Sequence, residues 1–409
     1  MELPPQALSE AMARLQGGGA PSEGAAGGRR LLAWLGWEAP VEESRRLDRI
    51  ALLRVALLCR PVFGLVLPSR PGLCAIGARL DLESAIGEAG LPVLGASGVG
   101  LTPGRAFAAC MGEAAERLAQ VERPEDRDGG DMVALCSWQG EPAGDWPRDL
   151  VFRRAAARRT LQPAAPLSIG CAAGPCWPSA RRAALLEVIE RDAVALWWRG
   201  GIPATRLAAD HPAARAATAL LREGGGVPAA GAEMLLDLTT DLGVPTVAAI
   251  AFDGSGSGFL CGTAAGPLLE EAARAAVMER LQNELAVALA AAKRQEFGAS
   301  ALGPRDRAHL LRHATVTAEA LPIIAAAAAP RGPAPPGPDF AAIAGRLQAR
   351  GHAVLVHDHR RAVPGIPVSR VLATGLACEP STDLPPRLAA AIARTGGGPG
   401  HRMRVSLFA

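Results

Sequence analysis

Tyrosine is absent from the 409 residues, lysine and asparagine occur once each (Lys293, Asn283), and aromatics make up only 4%. With one lysine and a formal net charge of +3, no lysine-rich run or basic stripe forms, which argues against a nucleic-acid partner. No uncharged apolar run approaches about 18 residues, so no membrane span is expected. The stretch from Leu321 to Pro330 is among the longest, but it is too short and ends in a Pro-rich loop. The start, MELPPQALSE, lacks the cationic-then-apolar pattern of a secretory signal. The eight cysteines are scattered, and only Cys171 and Cys176 lie close together, which suits reduced thiols and a cytoplasmic protein. Alanine, glycine, arginine and proline are plentiful, as in a GC-rich genome, so the preference for arginine over lysine is not a sign of phosphate recognition. A hydrophobic content of 49% and a charged content of 20% are ordinary for a globular protein with a large core.

Gly17 to Gly28 (GGGAPSEGAAGG) reads as a flexible linker after a short N-terminal helix. Leu31 to Pro92 alternates short apolar segments with turn residues and reads as a small mixed α/β region. Glu122 to Asp131 and the Pro-rich Ala329 to Asp339 read as polar surface loops. Val244 to Phe252, Ala353 to Val356 and the closing RVSLF read as strands, and GSGSG at Gly254 to Gly258 as a hairpin or turn.

Three segments share one spacing. Gly100 is followed by Ala106, Ala109, Glu113 and Glu116; Gly174 by Ala180, Ala183, Glu187 and Glu190; Gly266 by Ala272, Ala275, Glu279 and Gln282. The offsets are 6, 9, 13 and 16 each time, and a helical pattern follows each glycine. On a helix these positions fall within an arc of about 80°, so one face is small and then acidic. Packed together, three such faces would gather five carboxylates and one amide. Acids buried that way need cations, and an oxygen-rich cluster suits Mg²⁺ bridging to phosphates. The Gly-rich turns ahead of the helices would offer backbone N–H groups to those phosphates. The plainer reading is that Glu pairs at i and i+3 lie on solvated helix faces. Against it, Glu187 and Glu190 have apolar neighbours nearly all round (LLEVI, AVALWW), as in a buried helix.

These same residues resemble the YcaO superfamily. Ser168 to Gly174 (SIGCAAG) followed by ALLEVIERDAVALWW (Ala184 to Trp198) resembles the family's S-N-G-x-A-A-G turn and A-L-x-E-x-I-E-R-D helix. GEAAERL (Gly112 to Leu118), AVMERLQNEL (Ala276 to Leu285) and GIPVSRVLATGL (Gly365 to Leu376) are similar to further family segments, and the resemblance runs from about Leu91 to Pro380. It implies an α+β YcaO fold with mixed sheets and three helices lining an ATP/Mg²⁺ cleft over residues 86–409, with residues 1–85 as a small α/β docking region. It implies Glu113, Glu116, Glu187, Glu190 and Glu279 as metal ligands. Ser168, Arg117, Arg191 and Gln282, with Glu187, Glu190 and Glu279, would contact ATP. The implied activity is ATP-dependent activation of a backbone amide in a ribosomally made precursor peptide, with cyclodehydration of Cys, Ser or Thr to thiazoline or oxazoline. Thioamide or amidine formation, or a non-catalytic scaffold, are the alternatives. A leader-binding partner protein is expected and a homodimer is allowed.

The chain departs from the family pattern at Val99, where a lysine is usual, at Ile169 for asparagine, at Ser179 for an acid and at Leu118 for tyrosine. It ends in RVSLFA rather than in a proline-rich tail. His357-Asp358-His359 at a strand end reads as surface, Cys171 has no histidine base placed beside it by motif, and Trp177, Trp197 and Trp198 read as core or helix-packing residues.

Overall fold

The computed structural model describes residues 2–17, 26–65, 70–127, 130–161, 166–224, 233–324, 339–360, 363, 365–378 and 384–408. Most of the expected linker at 17–28 and of the Pro-rich loop at 329–339 lies outside them, as does the end of the apolar run at 321–330. Helices α1 (Pro5–Leu15), α2 (Ala26–Leu35) and α3 (Glu43–Leu58) lead to strands β1 (Val62–Leu65) and β2 (Cys74–Asp81). The short α4 (Leu82–Ile86), β3 (Val93–Gly100) and α5 (Pro103–Ala119) follow, then β4 (Met132–Ser137), β5 (Pro142–Pro147), β6 (Cys171–Ala173) and α6 (Trp177–Trp198). Next come β7 (Ala204–Arg206), α7 (Pro212–Glu223), β8 (Glu233–Asp237), β9 (Thr246–Ala251), β10 (Leu260–Ala265) and the long α8 (Leu269–Phe297). The chain closes with α9 (Pro304–Thr315), β11 (Ile323–Ile324), α10 (Phe340–Ala349), β12 (Val354–Asp358), β13 (Val368–Ala373), α11 (Pro386–Thr395) and α12 (Pro399–Arg402). The class is α+β, as expected.

Two compact units divide the chain, one of Met1–Ala184 with Leu355–Leu372, the other of Leu185–Val354 with Ala373–Ala409. The division does not fall at residue 85: β1 and β2, which precede it, share an antiparallel sheet with β3, which follows. In the first unit this sheet is covered by a core that includes Leu53, Val55, Ile76, Leu80, Phe107 and Met111. A second sheet there has the order β5-β4-β12-β13-β6. The second unit carries the sheet β10-β9-β8-β7-β11, antiparallel except for β11 beside β7. Its core stacks Trp197, Trp198, Phe252 and Phe259 over that sheet, which confirms two of the three tryptophans as packing residues.

The Gly-rich stretches ahead of the repeat helices are mostly strands rather than turns. β3, β6 and β10 each lie at the edge of their sheet, and each is followed within a few residues by its helix. A Cβ on Gly100, Gly174 or Gly266 would stand 2.8, 2.6 and 3.0 Å from the backbone nitrogen of Ala106, Ala180 and Ala272. That contact explains the constant six-residue spacing: strand and helix meet backbone to backbone, where no side chain fits. Gly262 is tighter still, with Arg280 N at 2.1 Å and Ala276 O at 2.3 Å from the missing Cβ.

GSGSG is the turn of the β9–β10 hairpin, where the Asp253 carboxylate accepts from the N–H groups of Ser255 and Ser257. Two expectations fail. RVSLF is not a strand, because side chains take its carbonyls: Trp198 Nε1 donates to Val405 O at 2.6 Å and Arg312 to Ser406 O at 3.1 Å. Glu122, at the head of the presumed surface loop, is buried, bonded to Arg154 at 2.9 Å and Arg158 at 3.1 Å.

Gly262→Ala is expected to lower the thermal midpoint steeply or abolish soluble expression. Gly112→Ala, inside α5 with nothing within 4 Å, should raise unfolding stability by about 0.5–1 kcal/mol. Denaturant melts of the two variants check both.

Candidate functional site

In the second unit, α6 and α8 bring their acidic faces to the edge strand β10, and Thr263 ties them together. Its hydroxyl donates to Glu190 at 2.7 Å, and its N–H donates to Glu279 at 2.9 Å. An edge strand has backbone N–H groups that no neighbouring strand takes, and a carboxylate one helix away satisfies one of them. Arg191 supplies the positive charge, with Nη2 at 3.3 Å from Glu187 and Nε at 3.9 Å from Glu190. Its guanidinium lies 3.5 Å from the centre of the Phe408 ring, a cation–π contact that seats the C-terminal segment on the cluster. Gln282 sits on α8 one turn beyond Glu279, half-buried.

Three carboxylates thus face one guanidinium in a poorly solvated place. Burial, reinforced by Glu279 and Glu187 and opposed by Arg191 and the Thr263 bond, pushes Glu190 up to about 8. Burial and Glu187 also raise Glu279, against Arg191 and the Thr263 N–H. Burial works against the Arg191 cation, but Glu190, Glu187 and Glu279 together hold its pKa above the ordinary value.

The first unit repeats the arrangement on α5. Glu113 accepts from the Ser97 N–H of β3 at 2.8 Å and pairs with Arg117 at 2.5 Å, while Glu116 accepts from the Ala173 N–H of β6 at 2.8 Å. Ser97 lies 16 residues before Glu113, as Thr263 lies 16 before Glu279. Ser168 is exposed, in the turn ahead of β6. The structure therefore groups Glu187, Glu190, Glu279 and Arg191 in one unit, and Glu113, Glu116 and Arg117 along one helix in the other.

The chain matches a family model described as YcaO cyclodehydratase, ATP- and Mg²⁺-binding, over residues 131–377. The chain belongs to the YcaO family. Among solved structures it is similar to a heterocyclase in complex with substrate and cofactor, at 17% identity and a TM-score of 0.64, covering 87% of this chain. It spans 55% of that heterocyclase. It is also similar to YcaO from Methanopyrus kandleri bound with AMPPCP and Mg²⁺ (20% identity, TM-score 0.55, covering 85% of this chain and 91% of that one). A third likeness is to the E. coli microcin synthetase McbBCD complex (12%, TM-score 0.55, covering 76% and 86%). No curated protein matches the chain in sequence. Among the described residues no helix is long and apolar enough to cross a membrane.

The family is described as binding ATP and Mg²⁺, and the residues present suit both. Among the described residues no three His, Cys, Asp or Glu side chains form a metal-holding group on their own. Mg²⁺, however, characteristically takes one or two carboxylates and completes its shell with water and phosphate oxygens. Net negative charge around Glu190 favours a divalent cation. The buried Nε atoms of Arg191 and Arg117 make no hydrogen bond, which suits an anionic partner.

Three residues here escaped sequence reasoning. Thr263 could have been found by extending the repeat to the position three before each glycine, occupied by Ser97, Cys171 and Thr263. Asp192, fully buried, accepts from Ala377 N–H at 2.9 Å and Arg387 Nε at 3.1 Å, anchoring the segment after β13 to α6. Asn283 donates to Cys261 O at 2.6 Å, tying α8 to β10.

A carboxyl at about 8 when folded, against 4.5 as the ordinary value, holds a proton over that interval only in the folded state. Unfolding free energy therefore falls as pH rises from about 4.5 to 8 and levels off above. The thermal midpoint of the metal-free chain should drop across this window, and Glu190→Gln should flatten the drop. Thermal melts between pH 5.5 and 8.5 test it, and an identical slope in the variant refutes the assignment.

Proposed function

We propose that this chain is an ATP-dependent peptide cyclodehydratase acting in the cytoplasm on a ribosomally made precursor peptide. The carrying observation is the cluster of buried Glu190 with half-buried Glu187 and Glu279 around Thr263, short of positive charge and beside Arg191. Glu187, Glu190 and Glu279 would hold Mg²⁺, with Glu113 and Glu116 as further ligands. Arg191, Arg117, Gln282 and Ser168 would contact the nucleotide.

Bound Mg²⁺-ATP supplies the phosphoryl group that turns the amide oxygen of the peptide into a leaving group. The protein's part is to position and to neutralise rather than to attack. Thr263 fixes the carboxylates of Glu190 and Glu279 from one strand residue, so their separation does not depend on flexible side chains alone. Glu187 and Glu190 hold Arg191 charged and oriented while Phe408 covers its face. Cys261 is buried and its thiol is driven far up by burial, so it offers no nucleophile. Attack then falls to the Cys, Ser or Thr side chain of the substrate.

Residues 1–85 are proposed as a docking region for a separate leader-binding protein. Thioamide or amidine formation would use the same amide activation. The scaffold reading draws on Val99, which stands in β3 opposite Ala75 where the family usually has lysine.

Nucleotide titration separates catalyst from scaffold. Glu190→Gln and Glu279→Gln are expected to weaken Mg²⁺-ATP binding by at least about tenfold, and phosphate release should depend on both precursor and partner. A wild-type chain that binds its partner but no nucleotide would be a scaffold.

A further inference from the structure

The repeat runs one residue further than the carboxylates. Seventeen residues after Gly100, Gly174 and Gly266 stand Arg117, Arg191 and Asn283. In the first two helices the arginine reaches back one turn to the first glutamate of the repeat, Arg117 to Glu113 at 2.5 Å and Arg191 to Glu187 at 3.3 Å. Acid before base at i and i+4 is the favourable order on a helix. Helix α8 breaks the pattern. Gln282 and Asn283 put two amides where the other helices have a glutamate and an arginine, and the Asn283 amide donates to Cys261 O at 2.6 Å.

The geometry of β10 explains that bond. Cys261 and Thr263, two residues apart, turn their backbone groups to the same free edge. Helix α8 meets both, with Glu279 taking the Thr263 N–H and Asn283 supplying a donor to the Cys261 carbonyl. Four residues of helix rise about 6 Å and two of strand about 6.7 Å, so positions 279 and 283 match 263 and 261. The helix thereby completes an edge that lacks a neighbouring strand. Asparagine is enough for this, and it adds no charge.

Among the described residues, Glu279 has no arginine of its own helix paired with it. Arg280 beside it is buried and engaged by Glu233 at 3.3 Å and Glu284 at 3.8 Å. Arg191 of α6 is the cation that acts on Glu279, and Glu187 and Glu190 already hold it. We propose that Asn283 is a specificity-determining residue, whose neutrality keeps a built-in cation away from Glu279 and so reserves that carboxylate for a divalent metal ion. Asn283 acts through Glu279 and need not touch the ion. The proposal rests on the reading of Glu279 as an Mg²⁺ ligand. An arginine at this position would supply the missing i, i+4 pair and compete with the ion for the carboxylate.

The test compares Asn283→Arg with Asn283→Met in the full chain, two long side chains that differ in charge. Asn283→Lys repeats the charged arm if the arginine variant does not fold. Mn²⁺ uptake without nucleotide is read from the loss of the free-ion EPR signal, and Mg²⁺-ATP binding by calorimetry. Asn283→Arg is expected to weaken Mn²⁺ binding by at least about tenfold, with Asn283→Met close to wild type. Unchanged Mn²⁺ binding in Asn283→Arg would overturn the proposal. Equal losses in both variants would overturn it too, since they mark a purely structural role. In either case a wild-type chain that binds Mg²⁺-ATP leaves the nucleotide reading standing. A wild-type chain that takes up no Mn²⁺ also overturns the proposal, and one that fails to bind Mg²⁺-ATP as well overturns the nucleotide reading with it.

Discussion

A hydrogen bond from an edge-strand N–H to a glutamate on a packed helix is the contact on which the acidic residues depend. It occurs from Ser97 to Glu113, from Ala173 to Glu116 and from Thr263 to Glu279. The bond answers two needs at once. The edge strand has backbone donors without a strand partner, and the helix has a carboxylate leaving bulk water. The glycines make the arrangement possible, because a side chain at Gly98 or Gly262 would collide with the helix backbone at 2.4 or 2.1 Å.

The second unit carries this furthest. Its carboxylates outnumber the guanidinium beside them, and burial raises Glu190 and Glu279. A site tuned only for stability would match those charges or replace them with apolar groups. Their retention in a place built from Thr263, Arg191 and Phe408 agrees with a family described as binding ATP and Mg²⁺.

Particular residues show how far the sequence could be read. The repeat from glycine to glutamate was visible because a backbone contact and a helix period both impose fixed spacing, and those constraints leave a one-dimensional trace. The hairpin at Gly254 to Gly258 was visible because turn chemistry is local. RVSLF was misread because its apolar pattern looks like a strand, whereas Trp198 and Arg312 take its carbonyls from far along the chain. His359 was misread for the same reason: burial by Phe152 comes from a residue more than two hundred positions away.

The sequence by itself determined the α+β class, the family, the helices that carry the acids and the identity of those acids, since each follows from local periodicity or from motif order. Only the tertiary structure decided which carboxylates share a donor, which arginine faces them, that the Gly-rich stretches are edge strands and that His357 and His359 line a cavity with Phe152. Those outcomes depend on contacts between distant segments, whose energies are set by burial and charge in three dimensions and leave no spacing to read.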